Sequence, residues 1–146
     1  MDEKKKEVWI RLFKIIMELE RHFILTSPLF EGETMKRVYI ASPYSKGDQA
    51  INVRRQIDCA NELMDLNFVP YAPLMSHFQH LVHPRSIEDW YKFDNEWVMT
   101  CHYLLRLSGE SKGADDEVKL AKELGIPVFH SILELVSWDN VANGGN

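Results

Sequence analysis

The stretch from Tyr103 to Ala121 constrains the fold of this chain more than any other. Tyr103-Leu104-Leu105-Arg106-Leu107 is an apolar run of strand length, Ser111-Lys112-Gly113 is a polar turn, and Val118-Lys119-Leu120-Ala121 continues a helix. A strand, a turn with one Gly and a carboxylate in the first helical turn make a strand-to-helix corner. Such a corner presents backbone N–H groups and the positive end of a helix dipole to a ligand. Glu117, read as lying in that first turn, is expected to stay ionised. It should point out of the carboxyl end of the sheet, where open α/β folds bind small molecules.

Three pieces precede and follow this corner. Residues 1–34 read as an amphipathic helix, ending near Leu25, and a linker. Trp9, Leu12, Phe13, Ile16, Leu19 and Phe23 recur at helical spacing, and five of the six also fit an a/d seam. That helix either packs on its own domain or serves as a dimerisation or partner helix. Pro28 and Gly32 break the pattern, and a Met at 35 stands directly before the first strand. Residues 35–138 alternate strand and helix. The strands are expected at Arg37 to Ala41, Phe68 to Pro73, His102 to Leu107 and Ile126 to Phe129, with the proline-bearing second strand at a sheet edge. Helices are expected from the turn at Asp48 to Leu66, from Ser86 to Thr100, from Ala114 to Leu124 and after Ser131. Asn67 and Gly125 stop two of them, while Ser86 with Asp89 and Ser131 with Glu134 give N-cap signatures. Leu74 to Arg85 reads as a long loop. Residues 139–146 are expected to be a flexible tail.

Strands alternating with helices imply an α/β fold: a parallel sheet with right-handed crossovers and helices on both faces. The loops after the first three strands then build the cleft, and the unusual polar residues collect there.

The net charge of −5 argues against a sequence-independent grip on nucleic acid, which needs a basic surface. No apolar run is long enough to cross a bilayer. The charged start Met1-Asp2-Glu3-Lys4-Lys5-Lys6 lacks the features of a signal peptide. Cys59 and Cys101, far apart in segments that read as helical, are expected to be reduced and buried, as suits a cytoplasmic protein.

The first loop, Ser42-Pro43-Tyr44-Ser45-Lys46-Gly47, offers hydroxyls and a Lys at a strand end, a composition that suits a phosphate or a sugar hydroxyl. Neither GxxxxGK[ST] nor GxGxxG is present. Asp94 shares a helix face with Trp90, Phe93 and Trp97, and a carboxylate on an inward aromatic face needs a task or a partner. Paired with Glu117, it would supply two carboxylates to one cleft, as acid/base and nucleophilic work at a sugar centre requires. His77, His80 and His83 complete no recognised zinc spacing, so no metal is assigned; His77 is expected to hydrogen-bond at the cleft. Arg54 and Arg55 either reach an anionic ligand or occupy a solvated helix face.

These residues carry a resemblance. Tyr39-Ile40-Ala41-Ser42-Pro43-Tyr44, then Trp90 to Asp94, then Ser111-Lys112-Gly113-Ala114-Asp115-Asp116-Glu117 with Ala121 resemble the nucleoside 2-deoxyribosyltransferase-like superfamily. Its small members and its 2'-deoxynucleoside 5'-phosphate N-hydrolases are the most similar. The resemblance covers residues 36 to 130 and implies a flavodoxin/Rossmann-like three-layer sandwich and a homodimer or higher homo-oligomer; nothing in the sequence calls for a cofactor. By that resemblance Glu117 is the nucleophile, Asp94 protonates the base or binds the sugar, and Tyr44 orients the nucleophile. Ser111 and Gly113 cradle the 5' end, and Ser42, Pro43, Lys46, Arg54, His77 and Trp90 complete the expected substrate contacts. Cys101-His102 replaces the Cys-Asp common before the third strand.

The expected function is cleavage of the N-glycosidic bond of a 2'-deoxynucleoside or its 5'-monophosphate, by hydrolysis rather than base exchange. The alternative is a non-catalytic module that binds or senses a nucleotide. The expected partner is thus a small nucleoside or nucleotide, with no nucleic acid and no membrane.

Overall fold

A computed structural model describes residues 2–26 and 35–143. The expected linker after Thr26 and the last residues of the expected tail lie outside the described residues. The chain divides into two units, Met1–Met35 and Lys36–Asn146. The first unit contains α1, Glu3–Thr26, a single amphipathic helix of 24 residues. Among the described residues no helix is long and apolar enough to cross a membrane.

The second unit is an α/β domain. Its strands are β1 (Arg37–Ala41), β2 (Val69–Tyr71), β3 (Tyr103–Arg106) and β4 (Val128–Phe129). They form one sheet in the order β2-β1-β3-β4, and every pairing is parallel. The helices are α2 (Gln49–Asp65), α3 (His77–Val82), α4 (Ile87–Thr100), α5 (Lys112–Glu123) and α6 (Ile132–Asn143). The two faces of the sheet bury alternate residues, as the pleat requires. Val38, Ile40, Tyr103 and Leu105 pack with Cys59, Ala60 and Leu63 of α2 and Leu135 of α6. Tyr39, Ala41 and Leu104 face the other way, onto Val98 of α4 and Ala114 and Ala121 of α5. Helix, sheet and helix make the expected three layers.

Local chemistry accounts for the element ends. Pro70 can donate no ladder hydrogen bond, and β2 is accordingly at the edge of the sheet. Asn67 takes left-handed backbone (φ 62) just past α2, and Gly125 (φ 71) does so after α5. The Ser86 hydroxyl accepts from Asp89 N at 3.1 Å. Ser131 accepts from Glu134 N, and the Glu134 carboxylate in turn accepts from His130 N. The buried thiols of Cys59 and Cys101 are free.

Strands β2 and β4 are shorter than the sequence reading has them, and three further boundaries differ. The expected loop after Leu74 is helical: a 3-10 turn at Pro73–Ser76 leads directly into α3. Gln56 explains the turn, because its buried side-chain oxygen accepts from Leu74 N at 2.7 Å. The helix α6 runs past Trp138 to Asn143, since Asp139 accepts from the Tyr103 hydroxyl at 2.7 Å and from the Asn143 amide. Helix α5 begins at Lys112 rather than Ala114, with the Ser111 hydroxyl accepting from Ala114 N. Glu117 therefore lies in the second helical turn, beyond the end of the helix dipole.

Candidate active site

The corner between β3 and α5 is built by a buried arginine. Arg106 is 8% exposed. Its guanidinium donates to the carbonyl of Leu107, to that of Gly109 at 2.7 Å, and to the Asp115 carboxylate at 2.9 Å. One cation thus ties three points of the turn together, and the corner arrives preformed. The first loop is locked to this one at Gly109, whose φ of +118° and close approach to Pro43 leave no room for a side chain; a Cβ there would lie 2.8 Å from Pro43 Cγ.

A cleft of about 440 Å³ opens at the carboxyl ends of the strands. That volume is in the range of small-molecule sites. Ser42, Tyr44, Ser45 and Lys46 line it from the first loop, and Ser76, His77, His80 and Arg85 from the second. Trp90, Tyr91 and Asp94 of α4 and Ser111, Gly113 and Glu117 of the α5 corner complete it. The three strand-end loops thus meet where the sequence places them.

Glu117 and Asp94 both line this cleft, each addressed by a tyrosine. The Tyr39 hydroxyl donates to Glu117 Oε1 at 2.7 Å, and the Tyr71 hydroxyl to Asp94 Oδ1 at 3.5 Å. Tyr39 and Tyr71 are register partners on β1 and β2, with ring centroids 5.6 Å apart. Tyr71 also stacks on Trp97 of α4 at 4.5 Å. Two neighbouring strand positions therefore set the places of two carboxyls on two different helices.

Burial dominates the electrostatics. Desolvation pushes the Glu117 carboxyl up from 4.5 to about 8, with Asp94 and Asp116 adding to the rise; the Tyr39 hydroxyl and Arg106 pull against it. Desolvation also raises Asp94, from 3.8 to about 6, against the pull of the Tyr71 hydroxyl. This corrects the expectation that Glu117 stays ionised. More than a full turn of backbone separates it from the solvated end of the helix, and removal from water outweighs the dipole. Both phenols are pushed up, first by burial and then by the neighbouring carboxylates, so they stay protonated and able to donate.

Other expected contacts sort into those facing the cleft and those turned from it. The Ser42 hydroxyl is in the lining, accepting from buried Gln56 at 2.8 Å. Lys46 lines the rim and pairs with Glu110 at 3.3 Å. Tyr44 bonds His77 Nδ1 at 2.7 Å, whereas the hydroxyl on Glu117 is that of Tyr39. The Trp90 indole N–H donates to His80 Nδ1 at 2.8 Å. Gly113 lets α5 approach α4, since a Cβ there would lie 3.3 Å from the Tyr91 hydroxyl. Pro43 is buried against Gly109 and is not in the lining. Arg54 sits on the solvent face of α2, paired with Asp58 at 3.6 Å, and does not reach the cleft. Its neighbour Arg55 donates to the Ser108 carbonyl and hydroxyl, bracing the third loop. Among the described residues no group of three or more side chains is placed to hold a metal.

Sequence reasoning missed Tyr39, Tyr71, Gln56 and Arg85. Arg85 lines the cleft, and its guanidinium bonds to none of the described residues, whereas Lys46 and Lys112 are each paired. A lone Arg before an N-cap Ser carries no local signal. The tyrosines read as ordinary strand aromatics, because only strand register brings their hydroxyls to the carboxyls.

Fold and site together define a parallel α/β domain with a cleft at its strand ends and two partly buried carboxyls within it. The chain belongs to the family described as Domain of unknown function (DUF7768), which matches residues 36–131. The match spans every residue of the cleft and leaves α1 outside. No curated protein matches the chain.

Proposed function

We propose that this chain cleaves the N-glycosidic bond of a 2'-deoxynucleoside or its 5'-monophosphate, by hydrolysis in preference to base exchange. The observation that carries the reading is the carboxyl pair, Glu117 and Asp94, brought from two helices to one cleft, each hydrogen-bonded by a tyrosine. A double displacement at a sugar centre needs this pair with one proton between its members. With Asp94 near 6 and Glu117 near 8, the pair holds a single proton in that interval.

At rest burial keeps the proton on Glu117. As the C1'–N bond lengthens, positive character at C1' favours the Glu117 anion, and the proton passes to Asp94 and on to the base. Glu117 Oε bonds to C1' while the bonding pair leaves with the base. Water then attacks C1', gives a proton to Asp94 and releases Glu117. The Tyr39 hydroxyl, donating to Oε1, stabilises the Glu117 anion as it forms before attack and again as it leaves C1'. The Arg85 guanidinium, which bonds to none of the described residues, the Ser111 hydroxyl and the start of α5 favour a substrate with a 5'-phosphate.

A second reading, a module that binds a nucleotide without reaction, draws support from the same raised carboxyl. A protonated Glu117 is a neutral donor, and a neutral group does not repel an anionic ligand. Base release from deoxynucleosides, their 5'-monophosphates and ribonucleotides, resolved by chromatography for wild type and Glu117→Ala, separates the two. Release that disappears in the variant supports the glycosidase. Nucleotide binding by folded protein with no release supports the binder.

A further inference from the structure

We infer that α1 is a self-pairing helix that joins two copies of this chain antiparallel. The inference stands apart from the reaction, since α1 belongs to a unit separate from the α/β domain. Trp9, Leu12, Ile15, Ile16 and Leu19 are 63, 44, 53, 52 and 62% exposed, so no described residue of its own unit covers the apolar stripe. An amphipathic helix in water draws most of its stability from covering such a stripe.

The heptad identifies what covers it. With Trp9, Ile16 and Phe23 at a and Leu12 and Leu19 at d, the flanks hold Lys6, Phe13 and Glu20 at e and Val8, Ile15 and His22 at g. An antiparallel second copy then stacks Trp9 on Leu19 and Leu12 on Ile16, twice each by symmetry. The e flanks meet as Lys6 against Glu20 at both ends, with Phe13 against Phe13 between them. The g flanks bring Ile15 against Ile15. A parallel copy instead sets Ile15 against Glu20 and leaves Lys6 with no acidic residue opposite. Opposite charges at equal distances from the centre of one flank are complementary to the same helix reversed, which is the signature of an isologous pair.

Two cysteine variants of the full chain test the orientation under mild oxidation. The native thiols do not compete: both are buried and pushed up to about 11, chiefly by desolvation. Ile15→Cys is expected to give a covalent dimer on a non-reducing gel, and Lys5→Cys, at a d position that faces itself only in a parallel pair, is expected to give none. In sedimentation experiments Lys6→Glu should raise the dissociation constant about tenfold through two repulsive contacts, and Lys6→Glu with Glu20→Lys should restore it. Cross-linking at Lys5, none at Ile15, or no recovery on charge exchange would overturn the inference. Because the cross-link reads α1 alone, association through the α/β domain does not imitate it.

Discussion

Replacing Glu117 with Gln should change how the stability of this protein depends on pH, whatever the reaction. The carboxyl has an ordinary value of 4.5 and is raised by burial to about 8. A folded-state value above the unfolded one means that, between those limits, the native chain keeps a proton the unfolded chain has released. Stability from this group therefore falls as pH rises from 4.5 towards 8 and levels off above it. At about 1.4 kcal/mol per pH unit the interval sets a ceiling near ~5 kcal/mol. Glu117 is only partly buried by surface, and solvent reaching the cleft screens the effect, so ~2–3 kcal/mol is the working figure. Gln keeps the shape and an oxygen to accept from Tyr39, but it has no proton to lose. Urea unfolding at pH 5, 7 and 9 should show Glu117→Gln gaining on wild type by ~2–3 kcal/mol from the lowest pH to the highest. A difference between the two proteins that stays constant with pH would refute the argument that desolvation governs this carboxyl.

Other changes test the remaining contacts. Tyr39→Phe removes a hydrogen bond to a charged group worth ~1.5–3 kcal/mol, so the fall of base release at high pH, set by loss of the Glu117 proton, should move up by about 1–2 units; an unmoved profile would show that Tyr39 does not hold the reacting carboxyl. Arg85→Ala should raise KM for a 5'-monophosphate by ~10–100-fold and leave that for the nucleoside unchanged, as steady-state kinetics on both would show. Gly109→Ala forces a side chain into left-handed backbone against Pro43, and should lower unfolding stability by ~2–3 kcal/mol in denaturant titration.

The sequence by itself determined the order of the strands and of the helices other than α3, and the meeting of three loops. Alternating apolar runs and capped helices leave few topologies, and Pro70 placed its own strand at the edge. The pairing of Asp94 with Glu117 was also legible, because a carboxylate among Trp90, Phe93 and Trp97 is out of place on any helix. Tertiary structure decided the rest. The boundary after Leu74 depends on Gln56, a residue 18 positions away. The charge of Glu117 depends on burial beneath the cleft, which no spacing of residues reveals. Tyr39 reaches Glu117 across 78 positions of sequence, and Tyr71 lies beside it only through parallel strand register. Local patterns fix which backbone hydrogen bonds form within an element. The reach of a side chain across elements, and the water it loses there, belong to the assembled fold.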